Sequence, residues 1–295
     1  MEKKQSTSVF YIILCYFAWG VLPAFWKLLS GIDSIYILCQ RAIWSMILLF
    51  LFLCITHRLS DVRRLFQDRR TRLFCFLAGI LTAINWGVYI YAVNSGHVLD
   101  GSLGYFLEPI IATIIGVCFF HEKMSKYEKI TALFSVIGVG YLIFSYRMVP
   151  VIALLIGLSF ALYGAVKKYI AADAAVSLFT EMIFLFPFAL LFCGYSEWAG
   201  QGSLQVFHGA QFLLFPLAGL VTCVPLLLFN KGVSGVPFYL TGILMYINPT
   251  MQFLMGVCYF HETPEFSRLI AFGFIWVGIA FTLYGNIHRA HLSEM

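Results

Sequence analysis

Residues 101–122, GSLGYFLEPIIATIIGVCFFHE, form an apolar helical run with a Glu-Pro pair in its interior. The run returns once. Glu108-Pro109, Gly116-Val117-Cys118 and Phe120-His121-Glu122 reappear 140 residues later as Asn248-Pro249, Gly256-Val257-Cys258 and Phe260-His261-Glu262. The same offset carries Leu77-Ala78-Gly79 and Thr82 onto Leu217-Ala218-Gly219 and Thr222, Gly138 onto Gly278, Phe144 onto Tyr284 and Lys27 onto Lys167. One constant shift across separate segments predicts two copies of one unit, 1–146 and 147–295, an internal repeat of the kind that decides an architecture.

Composition supplies the solvent for that unit. The chain has 295 residues, 61% hydrophobic and 11% charged, with mean hydropathy +0.88. Soluble domains carry roughly 25% charged residues, so this chain lacks the polar exterior that water demands. Ten apolar runs fall near 8–28, 35–55, 73–94, 101–120, 127–145, 149–169, 176–196, 209–230, 237–260 and 266–286. Each matches the roughly 20 residues that a membrane-crossing helix needs, and none shows the strict alternation of membrane strands. The first run is too long for the core of a signal peptide, and no small-residue cleavage site closes it. The eight cysteines lie in or beside apolar runs, and no two form a C-x-x-C, so they read as small apolar residues rather than metal ligands or disulfides.

Loop charges predict the orientation. With the N-terminus in the cytoplasm, fifteen Lys and Arg residues lie inside: Lys3, Lys4, Arg58, Arg63, Arg64, Arg69, Arg70, Arg72, Lys123, Lys126, Lys129, Lys167, Lys168, Lys231 and Arg289. Lys27, Arg147 and Arg268 lie outside, so the positive-inside rule puts both termini in the cytoplasm. Five spans per copy is an odd number, so the second copy must enter from the opposite side. The expected fold is therefore all-α, ten transmembrane helices as two inverted five-helix repeats, an architecture common among secondary transporters. The net charge of +5 sits in short loops and suits a bilayer better than nucleic acid.

Arg41, Glu108 and Glu181 are the ionisable groups deep within runs. A charge at the bilayer centre costs ~2.5–3.5 kcal/mol on insertion scales, so each needs a partner or a wet cavity. At ~1.5 Å rise per residue, Arg41 and Glu108 lie about 10 Å from the outer ends of their helices, which predicts an ion pair between them. Their equivalents are Glu181 and Asn248. Glu181 has no basic partner nearby in sequence and is a candidate proton-exchanging group or a hydrogen-bonded clamp. Pro109 and Pro249 interrupt helix interiors and free carbonyls one turn back, predicting kinks or hinges. Asn85, Trp86 and Tyr89 share a helix face, and Tyr105, Tyr163, Tyr239 and Tyr246 add aromatic surface with polar tips, a lining for an organic solute or else lipid-facing aromatics. His121-Glu122 lacks the second His of a zinc protease; Ser125 stands there, and capping at a helix end is the expected role. No phosphate-binding loop or Ser-His-Asp pattern is present, and no cofactor or metal is expected.

Gln40-Arg41-x-x-Trp44-Ser45, Asn85-Trp86-x-x-Tyr89-Ile90-Tyr91-Ala92-Val93-Asn94 and Ser102-Leu103-Gly104-Tyr105-Phe106-x-x-Pro109 resemble the RarD-type permeases, in the EamA branch of the drug/metabolite transporter superfamily. Phe17-x-Trp19-Gly20, Lys27 and Glu181 ahead of Pro187 fit the same pattern, which covers nearly the whole chain. The resemblance implies a bacterial inner-membrane permease with a cavity lined mainly by runs 1, 3, 4, 6, 8 and 9. The family pattern has His where Gln40 stands and Asn where Glu108 stands, so no family role passes to Glu108. Candidate cavity residues are Trp19, Lys27, Arg41, Asn85, Trp86, Tyr89, Tyr105, Glu108, Tyr163, Glu181, Tyr246 and Asn248. The expected activity is alternating-access export of small organic solutes such as amino acids, metabolites or drugs, by a monomer or homodimer. Proton coupling and facilitated diffusion both remain open, and the alternative of another class is a membrane-embedded enzyme or a non-transporting scaffold.

Overall fold

The computed structural model describes residues 2–29, 31–94, 98–146, 151–261, 263 and 265–293. Its helices, in chain order, are α1 (Glu2–Lys27), α2 (Ser34–Ile55), α3 (Leu59–Gln67), α4 (Arg69–Asn94), α5 (Val98–Cys118), α6 (Lys126–Tyr146), α7 (Val151–Lys167), α8 (Ala174–Trp198), α9 (Leu214–Val233), α10 (Phe238–Met245), α11 (Ile247–Leu254) and α12 (Phe266–Ser293). Two short 3-10 turns precede α9, and a π-helical turn, Met255–Tyr259, follows α11. No strand occurs among the described residues. Arg147 and Glu262, both used in the sequence reading, lie outside them.

Seven helices are long and apolar enough to cross a membrane, and Gly104–Cys118 and Val151–Lys167 are shorter apolar helices. Phe119, Phe144, Phe188 and Trp198 are 73–84% exposed, a surface that water would penalise at about 25 cal/mol per Å² and that lipid would not. The protein is a multi-pass membrane protein.

Local chemistry sets the helix ends. The Asp33 carboxylate accepts from the Ile35 and Tyr36 amides at 2.9 Å, and Asp173 accepts from the Ala175 amide at 2.9 Å, capping α2 and α8. His121 and His261 follow the apolar runs with φ of 51° and 56°, a left-handed conformation that stops a helix. The basic stretch after α2 is not plain loop. Residues 59–67 form an amphipathic helix that buries Val62 and Leu65, and Arg69, Arg70 and Arg72 begin α4.

The ninth apolar run also differs from expectation, since it is broken into α10, α11 and the π turn. Pro249 has no N–H for the Met245 carbonyl, and α10 ends at Met245. The equivalent Pro109 sits inside an unbroken α5.

The main packing pairs are α6 with α12, α5 with α7 and α10, α4 with α7 and α8, α2 with α8 and α9, and α1 with α9 and α11. The α6–α12 contact is reciprocal. Gly138 lies against Ala271 and Phe274, and Gly278 lies against Thr131 and Phe134. Thr131 meets Thr282 at 2.7 Å while Ser145 meets Ser267 at 2.8 Å, so the two helices run antiparallel. α2 and α8 also run antiparallel, with Phe50 on Phe179 at one end and Tyr36 on Glu197 at the other.

Candidate functional site

A cavity of about 340 Å³ opens between α1, α2, α4, α5, α7, α9, α10 and α11. Its lining runs from Tyr16, midway along α1, to Trp26 near the end of α1 and Ser34 at the start of α2. The cavity therefore extends from mid-bundle toward the α1–α2 end. Of the residues singled out from sequence, Trp19, Arg41, Asn85, Trp86, Tyr89, Tyr105, Glu108 and Asn248 line it. Lys27, Tyr163, Glu181 and Tyr246 do not.

Arg41 corrects one expectation, because it makes no ion pair with Glu108. Its guanidinium carbon sits 4.4 Å from the centre of the Trp86 ring and 5.1 Å from that of Trp26. Such stacking over indole faces favours a cation. Among the described residues it has no hydrogen-bond or carboxylate partner, and its buried Nε is unpaired. Glu108 is 4% exposed and likewise has no hydrogen bond or ion pair among the described residues.

The other polar groups are tied to the scaffold. The Asn85 amide donates to the Ile156 carbonyl at 2.9 Å and to Ser159 Oγ at 3.2 Å, holding α4 on α7. Asn248 Oδ1 accepts from Gln252 Nε2 at 2.9 Å. Tyr89 and Tyr105 meet edge to face at 5.6 Å. Tyr246, off the cavity, donates to the Phe106 carbonyl at 3.5 Å.

At its deep end the cavity stops on aromatic rings. Trp19 meets Phe160 at 5.4 Å, Phe160 meets Phe229 at 5.6 Å, and Phe229 stacks on Tyr163 at 5.9 Å. The Tyr163 hydroxyl donates to Asn230 Oδ1 at 3.2 Å. One turn further along α7, Lys167 corrects a second expectation. It is not a loop residue but is 4% exposed, and it pairs with Glu181, which is 0% exposed. Lys167 also donates to Ser177 Oγ at 2.6 Å. Glu181 therefore has a cation, which sequence distance concealed because the partner lies on another helix. Lys27, the equivalent of Lys167, instead stands 4.7 Å over the Phe260 ring.

Two further ion pairs close this same end. Glu122 pairs with Lys168 at 3.0 Å and accepts from the Phe238 and Tyr239 amides at 2.7 and 2.8 Å, capping α10. Arg58 reaches Asp173 at 3.1 Å, and that carboxylate holds the guanidinium pKa above its ordinary value. The sequence reading missed Trp26, Lys167 as a buried group, Phe160 and Phe229. Trp26 resembled any interfacial aromatic, and the phenylalanines carried no polar mark. Among the described residues no three His, Cys, Asp or Glu gather to hold a metal ion.

Comparison with known proteins places these features in context. The EamA-like transporter family model matches residues 6–144. The chain is 36% identical to the uncharacterized transporter YojE of Bacillus subtilis, over 99% of both chains. It is 34% identical to protein RarD of Streptomyces exfoliatus, over 99% of this chain and 93% of that one. A solved crystal structure aligns with a TM-score of 0.72 at 15% identity, over 94% of this chain and 97% of the other, a likeness of fold.

Proposed function

Because the chain belongs to the RarD-type permeases of the EamA-like transporter family, we propose that it moves small organic solutes across the bacterial inner membrane by alternating access. The observation that carries this reading is the cavity itself. It reaches one end of the bundle and is closed at the other by stacked rings and the buried Lys167–Glu181 pair. With both termini cytoplasmic, the closed end is the inner one, and the conformer is outward-facing.

The proposed architecture is two five-helix repeats, 1–146 and 147–295, inserted in opposite directions. Several contacts support it. The faces that join α6 to α12 match under the 140-residue shift, and the two helices run antiparallel, as a two-fold axis in the membrane plane requires. The cavity wall holds three equivalent pairs, Trp86 with Leu226, Tyr105 with Met245 and Glu108 with Asn248. Exchange of the two halves would open the cavity to the cytoplasm.

Export is the proposed direction. Glu108 rather than Glu181 is the candidate proton carrier, since it faces the cavity without a cation. In proteoliposomes carrying an accepted solute, wild-type flux should respond to an imposed pH gradient and Glu108→Gln flux should not. Equilibration without accumulation by wild-type protein, at any pH difference, would establish facilitated diffusion instead. Absence of solute flux under every gradient would remove the permease reading itself.

A further inference from the structure

Arg41 is a cation held in place with nothing to neutralise it. Its guanidinium lies over the Trp86 and Trp26 rings, no described carboxylate lies within ion-pair distance, and Nε is buried without an acceptor. Arg41 is half-buried, and a charge that has lost part of its water is normally paired, because losing water without a counterion is costly. The stacking supplies partial compensation through the ring faces, but indole faces accept no in-plane N–H hydrogen bond. The guanidinium donors thus have no described protein acceptor.

We infer that Arg41 is a recognition site for a carboxylate on the transported solute, with Trp26 and Trp86 setting the plane of the guanidinium. A planar fork of donors matches a carboxylate bidentately, and pre-orientation removes ordering cost on binding. The rest of the cavity selects the body of the molecule. Tyr89, Tyr105, Trp19 and Phe160 give it aromatic walls, and about 340 Å³ accommodates one small organic molecule. The solute class is therefore a carboxylate with a flat apolar body. This inference rests on the permease reading for the word transported, but the binding event can be measured without flux.

The test is binding to purified full-length protein in detergent, read by intrinsic tryptophan fluorescence, with 3-phenylpropionate and its neutral amide as matched probes. Wild-type protein should bind the carboxylate at least about tenfold more tightly than the amide. Arg41→Gln should lose that preference while keeping its residual affinity for the amide. Equal wild-type affinity for the two probes would overturn the inference, and this comparison needs no variant to fold. A preference that survives in folded Arg41→Gln protein would also overturn it. Carboxylate-selective binding with no flux in proteoliposomes would sink the permease reading and leave the site standing. Flux of amides and amines with no carboxylate preference would do the reverse.

Discussion

Lys167 and Arg41 are both cations inside an apolar protein, and their surroundings give them opposite roles. Lys167 is matched by Glu181 and Ser177, fourteen and ten residues further along the chain on the next helix. Arg41 is matched by rings alone. The sequence made Arg41, Asn85, Trp86 and Glu108 legible because each polar group interrupts an apolar run. It misread Lys167 because a lysine at the end of such a run looks like a loop charge, and a boundary carries an error of a few residues. The pairing yields a stability prediction. Glu181→Gln strands the Lys167 charge in a dry site, which should lower unfolding stability in detergent by about 3–5 kcal/mol. The double change Lys167→Met with Glu181→Leu removes both charges and should recover most of that loss. Equal destabilisation by the single and the double variant would mean that side-chain shape, rather than charge, governs the site.

Pro109 and Pro249 show how far an element can be read from its own residues. They are 140 residues apart, and both remove a backbone donor from a helix. Only Pro249 coincides with a break, between α10 and α11, followed by a π turn. A freed carbonyl can be accommodated by bending or by ending the segment. At Pro109, where the carbonyl left without its donor is that of Tyr105, the chain stays helical, and Gly242 of α10 packs against the Pro109 carbonyl. Sequence alone could mark both prolines but not separate the two outcomes. If the break is a hinge, Pro249→Ala should return a donor to the Met245 carbonyl and straighten the element. The expected result is a higher unfolding temperature, retained ligand binding and transport slowed at least about tenfold. Pro109→Ala should change flux far less. Normal flux in Pro249→Ala would show that this break is static.

At the scale of the molecule, the 140-residue echo was readable because related contacts keep related residues, as at Gly138 and Gly278. What the echo could not convey is the inequality of the two ends. The end away from the cavity mouth, the inner one in the proposed orientation, holds Lys167–Glu181, Lys168–Glu122 and Arg58–Asp173. The equivalents of the first pair are Lys27 and Arg41, two cations, and those of the third are Asp33 and Trp198. An ion pair needs two matched residues, so one unmatched residue is enough to leave one end latched and the other unlatched. Among these pairs, Lys168–Glu122 is partly screened, with side chains 15% and 14% exposed, and it also fastens the start of α10 to the end of α5. In the proposed alternating-access cycle, opening of the inner end releases Glu122 from those two amides. Charge-assisted hydrogen bonds contribute about 1.5–3 kcal/mol each, and a change of only about 1.4 kcal/mol shifts a two-state population tenfold. Glu122→Gln should therefore move the equilibrium toward the inward-facing state. A cysteine placed at the cavity residue Thr222, in a background without the native cysteines, reports this through an impermeant maleimide. In wild-type protein it should be labelled from the outer face and protected from the inner one. With Glu122→Gln, labelling in inside-out vesicles should rise about tenfold while labelling from the outer face falls. Unchanged accessibility on both sides would reduce Glu122 to a helix cap with no part in holding the inner end shut.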